Sequence, residues 1–117
     1  MAGTSRNLIY HNPRCSTSRK TLDLLRDNGV EPEVVQYLKT PPSRTQLVKM
    51  IKDAGIDVLT AVRKKEALYG ELNLAGASDD ALLDAMVEHP NLIERPFVVT
   101  PKGTRLARPI DAVREIL

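Results

Sequence analysis

The order in which hydrophobic periodicity changes along the chain constrains its fold more than any other feature. Leu8 to Tyr10 is a short apolar run that reads as a buried strand. The amphipathic pattern from about Ser16 to Asn28, carrying Leu22, Leu24 and Leu25, reads as a helix closed by Gly29. Val34, Val35, Tyr37 and Leu38 give a β-branched and aromatic second strand, ended by Thr40-Pro41-Pro42. Farther on, Phe97 to Thr100, a Pro101-Lys102-Gly103 turn and Thr104 to Ala107 read as a β-hairpin. Two βα crossovers call for parallel neighbours and a hairpin for antiparallel ones, so the sheet is expected to be mixed within an α/β fold.

Between the second strand and the hairpin the pattern is helical. Ser43-Arg44-Thr45-Gln46 has the spacing of a capping box and opens a helix with Leu47, Val48, Met50 and Ile51 that stops near Gly55. Asp57 is expected to cap a third helix through Arg63, with further helical turns around Ala67-Leu68-Tyr69. Ser78-Asp79-Asp80 starts another helix with Leu82, Leu83 and Met86 inward and Pro90 at its end. Pro109, as a first helical residue, starts a closing helix whose Val113, Ile116 and Leu117 face the core. With 117 residues there is room for one domain.

Composition narrows the function classes. The net charge of +2 comes without any Lys and Arg run interleaved with aromatics, which argues against nucleic acid. No apolar run approaches the ~20 residues of a membrane span, and the start of the chain lacks the apolar stretch of a secretory signal, so a cytoplasmic location is expected. The one cysteine excludes an intrachain disulfide and a cysteine-rich zinc site. His11 and His89 are too far apart in sequence to suggest a metal site, and His89 reads as a helix-end surface residue. No metal and no bound cofactor are expected, and a domain this small can stand as a monomer.

That single cysteine, Cys15, sits in Tyr10-His11-Asn12-Pro13-Arg14-Cys15-Ser16-Thr17-Ser18-Arg19, at the junction of the first strand and helix. Backbone N–H groups and the positive end of a helix dipole converge there, favouring thiolate and binding anions. A thiol of pKa ~8.5 is only ~3% ionised at pH 7, whereas one of pKa ~6.5 is about three-quarters thiolate. His11, Arg14 and Arg19 are the nearby cations in the sequence. The polar flanks argue against Cys15 being a small buried hydrophobe.

The ordered set Tyr10-His11-Asn12-Pro13, Cys15-Ser16-Thr17-Ser18-Arg19, Tyr37-Leu38, Thr40-Pro41-Pro42-Ser43, Glu94-Arg95-Pro96, Val98-Val99-Thr100 and Arg108-Pro109 resembles the glutaredoxin-linked arsenate reductase family, in its short form. The resemblance runs from about Leu8 to Leu117. It implies one domain with a thioredoxin-like core, about residues 7–42 and 91–117, and an inserted helical subdomain at about 43–90. It also implies reduction of arsenate to arsenite, with glutathione as co-substrate and glutaredoxin as the protein that resets the thiol.

The same resemblance carries the nucleophile onto Cys15 and the oxyanion-binding arginines onto Arg63, Arg95 and Arg108, a role suited to guanidinium forks that hold their charge and donate in pairs. In thioredoxin-like folds the proline entering the third strand, here Pro96, is typically cis, which would aim Arg95 at Cys15. His11 is a base, a cation favouring thiolate or a donor that stabilises the loop, and the loop role is preferred. Asn12 is expected to bond the loop backbone, and Ser16 and Ser18 to cap the helix or contact the anion.

Other readings are distinguishable. A disulfide sensor of the transcription-factor-like relatives would carry Cys-x-x-Cys, but the fourth position is Ser18. A phosphatase-like arsenate reductase would carry Cys-x5-Arg, but position 21 is threonine. The remaining alternative is a binding or regulatory protein that retains the loop without arsenate chemistry.

Overall fold

The computed structural model describes residues 6–117; the polar stretch Met1–Ser5 lies outside the described residues. Four strands form one sheet: β1 (Leu8–His11), β2 (Glu33–Gln36), β3 (Phe97–Thr100) and β4 (Gly103–Leu106). Their order is β2-β1-β3-β4, with β1 parallel to β2 and antiparallel to β3, and β3 antiparallel to β4. The sheet is mixed as expected, but only one crossover makes a parallel pair.

Helix α1 (Ser16–Asp27) connects β1 to β2. It ends where Gly29, at φ 77°, lets its own N–H reach the Arg26 carbonyl and the Val30 N–H reach that of Leu25. This paired closure needs a left-handed residue, which glycine adopts without steric cost. Leu25 is fully buried and joins Ile9, Val98, Ala107, Val113 and Ile116 in one core, while Leu22 and Leu24 pack at its margin.

Two elements of this part depart from the sequence expectation. The second strand stops at Gln36, because residues 37–40 fold into a turn whose Lys39 and Thr40 N–H groups donate to the Gln36 carbonyl. Tyr37 is buried from that turn, whereas Leu38 is exposed. The closing segment Ile110–Ile116 is a 3₁₀-helix, and Pro109 precedes it in an extended conformation instead of opening it. Three residues per turn place Val113 and Ile116 on one face, and both are buried. The Thr100 hydroxyl ties this segment to β3 by donating to the Ile116 carbonyl at 2.6 Å.

The chain packs as two compact units, one running to Thr40 and resuming at Arg95–Leu117, the other comprising Pro41–Glu94. The second unit holds α2 (Arg44–Ala54), α3 (Ala67–Glu71) and α4 (Asp79–Glu88). Ser43 and Gln46 form the full capping box, the Ser43 Oγ accepting from the Gln46 N–H and the Gln46 Oε1 from the Ser43 N–H. Ser78 caps α4 by accepting from Ala81 N–H. Leu47, Met50, Ile51, Leu82, Leu83 and Met86 are buried. The helix expected from Asp57 to Arg63 is only a 3₁₀ turn at Leu59–Ala61. Val62 is extended and bridges Ile93, and the Arg63 N–H donates to the Leu92 carbonyl, so pairing across the chain displaces local helix. The molecule is thioredoxin-like, with a mixed sheet and an inserted helical segment. Among the described residues no helix is long and apolar enough to cross a membrane.

Candidate active site

β1 hands the chain to α1 through a turn tightened at both ends. Asn12 Oδ1 accepts from the Arg14 N–H at 3.0 Å, the Asn12 carbonyl accepts from the Cys15 N–H at 3.0 Å, and Arg19 Nη1 donates to the Pro13 carbonyl at 2.8 Å. Asn12 and Arg19 thus bind loop backbone, the role expected of Asn12. Cys15 itself occupies the N-cap of α1, with φ −93° and ψ 121°, and its carbonyl accepts from the Arg19 N–H.

Despite its polar flanks Cys15 is buried, the residue being 9% exposed, and its thiol pKa is lowered. Burial pushes it up, but the Ser18 N–H, the charge and side-chain hydrogen bond of Arg95, and the Thr17 N–H together outweigh burial. Arg108 Nη2 adds a long contact to Sγ at 3.8 Å, and Arg108 Nε donates to the Arg95 carbonyl at 2.8 Å. Two arginines distant in sequence from Cys15 and two amides of its own helix therefore surround one sulfur. Such a thiolate is a competent nucleophile, and the same donors suit an oxyanion positioned for its attack.

His11 and Ser18 form a buried pair behind the loop. His11 Nδ1 and Ser18 Oγ share a hydrogen bond at 2.6 Å, and Ser18 Oγ also accepts from the Asn12 N–H at 3.1 Å. The His11 pKa is lowered, first by burial and then by the charges of Arg19 and Arg26, so the ring is neutral near pH 7. A neutral ring bonded to Ser18 is a loop-holding group. Ser18 is fully buried and its hydroxyl is engaged on this inner side, so it neither caps α1 nor faces an anion; its N–H is the group that reaches Cys15. Ser16 is exposed at the first position of α1.

The Arg95–Pro96 peptide is cis, and Arg95 is 7% exposed. Arg63 lies in the second unit, where its Nη1 donates to Glu66 Oε2 at 2.9 Å. Three features had no sequence expectation behind them: the cis Arg108–Pro109 peptide, the Arg108-to-Arg95 carbonyl bond, and an open pocket of about 250 Å³ lined by Thr17, Ala107, Arg108, Pro109 and Ile110. The adjacent Arg108-Pro109 pair was the only sequence signal for any of them.

Comparison with known proteins finds relatives over most of the chain. A protein from Rhizobium meliloti (strain 1021) named arsenate reductase is 57% identical over 111 residues, covering 93% of this chain and 79% of its own length. The uncharacterized protein YfgD of Escherichia coli (strain K12) is 52% identical, covering 93% of this chain and 94% of its own. A solved structure titled arsenate reductase from Vibrio cholerae superposes with a TM-score of 0.91 at 49% identity, covering 97% of this chain and 99% of that one. The ArsC family model matches residues 10–116, and the chain belongs to the ArsC family.

Proposed function

We propose that the chain is an arsenate reductase in which Cys15 is the nucleophile and glutathione and glutaredoxin are the reductants. The observation that carries this reading is the convergence of the Ser18 and Thr17 N–H groups, Arg95 and Arg108 on one sulfur of lowered pKa, in a chain similar to proteins named arsenate reductase. The Cys15 thiolate attacks arsenic, and one arsenate oxygen leaves as water after taking up two protons. A glutathione thiol then closes a sulfur–sulfur bond with Cys15, and the electron pair of the sulfur–arsenic bond stays on arsenic. The two sulfurs are oxidised by two electrons in all, and As(V) becomes As(III), released as arsenite. A glutaredoxin thiolate attacks the glutathione sulfur of the mixed disulfide and frees Cys15. An outside thiol is required because the chain has no second cysteine.

Arg95 and Arg108 hold the oxyanion in this mechanism; the family resemblance extends the same role to Arg63. The test is arsenate-dependent NADPH consumption in an assay coupled through glutathione, glutaredoxin and glutathione reductase. Turnover by the wild-type chain that vanishes in Cys15→Ser supports the reading. Equal background rates for the two would leave the chain a binding protein built on the same loop.

A further inference from the structure

The pocket lined by Thr17, Ala107, Arg108, Pro109 and Ile110 shares two of its walls with the thiol site: Thr17 donates its N–H to Cys15, and Arg108 contacts Sγ. The other three walls are apolar or backbone, and the lining contains one cation and no carboxylate. The nearest acid in sequence, Asp111, is paired with Arg114 at 3.0 Å. A cation beside an apolar floor fits a ligand that joins an anionic group to short aliphatic segments. At about 250 Å³ the pocket accommodates one arm of a small peptide.

We propose that this pocket is the subsite for the thiol co-substrate, taking a carboxylate-bearing arm of glutathione so that its sulfur is presented to Cys15. The proposal rests on the arsenate reductase reading only for the identity of the thiol. Arg108 then belongs to both halves of the reaction, facing the sulfur on one side and bordering the incoming peptide on the other. Ala107, Pro109 and Ile110 provide the surface against which the aliphatic segments lie, while the single cation selects an anionic thiol over a neutral one.

Two measurements test this without arsenate. S-methylglutathione, which cannot react, is titrated into isotope-labelled wild-type protein, and the amide resonances of Thr17, Ala107 and Ile110 should shift in a saturable way. Shifts confined to other residues, or none, overturn the subsite. In the second, Cys15 is allowed to exchange with glutathione disulfide or with neutral hydroxyethyl disulfide. In each case the thiolate attacks one sulfur and the other departs as thiolate.

Relative to a small free thiol, the wild-type protein should favour glutathione disulfide by about tenfold. Ile110→Trp, which fills the pocket, and Ile110→Glu, which places a carboxylate in it, should each slow exchange with glutathione disulfide more than exchange with the neutral disulfide, and so abolish that preference. A preference that survives both substitutions overturns the proposal. A wild-type protein that binds S-methylglutathione but does not reduce arsenate would sink the proposed function and leave the subsite standing.

Discussion

Arg108 is latched to Arg95: its Nε donates to the Arg95 carbonyl oxygen at 2.8 Å while its Nη2 stands 3.8 Å from Cys15 Sγ. One planar guanidinium thus has its orientation set by backbone at one edge and faces the Cys15 sulfur with another. Lysine has a single point-like ammonium and cannot do both. Arg108→Lys should therefore raise KM for arsenate by about tenfold or more, the scale of one charge-assisted hydrogen bond. Steady-state kinetics with varied arsenate checks this, and an unchanged KM would remove Arg108 from the oxyanion site.

The thiolate should be detectable without any substrate. The rate of Cys15 alkylation by iodoacetamide, followed against pH, should inflect below the ordinary thiol value. Arg95→Gln should move that inflection upward, because the charge that most favours the thiolate is gone while burial still opposes ionisation. The sign for stability follows. With the folded pKa depressed, the contribution is fully present above the unfolded thiol pKa and is lost as pH falls through the folded value. An inflection indifferent to Arg95 would mean that the helix amides alone set it.

His11 contributes with the same sign, in its own pH window. Its pKa is lowered by burial and by Arg19 and Arg26, so the unfolded chain binds a proton that the folded chain refuses. Stability should fall as pH drops from the unfolded histidine value, ~6.5, toward the folded one, and remain level below it. In His11→Gln that component of the slope should disappear from urea unfolding curves recorded between about pH 7 and pH 5. A slope the same as wild type would place the acid sensitivity elsewhere.

The capping box gives a prediction independent of chemistry. Ser43→Ala removes the acceptor of the Gln46 N–H and should cost about 1 kcal/mol. For a chain of this size that lowers Tm by roughly 3–6 °C. Gln46→Ala added to Ser43→Ala should cost less than the sum of the two single changes, because each side chain holds the other's backbone N–H. Thermal unfolding of the three variants decides it, strict additivity counting against a coupled box.

Local signals were readable where the chain itself supplied the answer. The Ser43 box, the Ser78 cap and the Gly29 closure each depend on residues a few positions apart, and each is present. Cys15 at the start of α1 followed from the change in periodicity between β1 and the helix. Readings failed where a contact outside the periodic pattern intervened. Val62 looks helical by its neighbours but is drawn out by Ile93, and Tyr37 looks like strand but is buried from a turn. Ser18 looked like a cap or an anion contact until the fold placed its hydroxyl against His11.

The mixed sheet, the positions of most helices and the presence of a single thiol are legible in the sequence. Those features follow from periodicity, capping chemistry and a cysteine count, all of which are local or compositional. Only the tertiary structure decided which groups surround Cys15 Sγ. Arg95 and Arg108 come from the two flanks of the β3–β4 hairpin, and their approach to α1 depends on the antiparallel pairing of β1 with β3. Sheet register sets the distance between side chains many residues apart, and no short-range pattern encodes it.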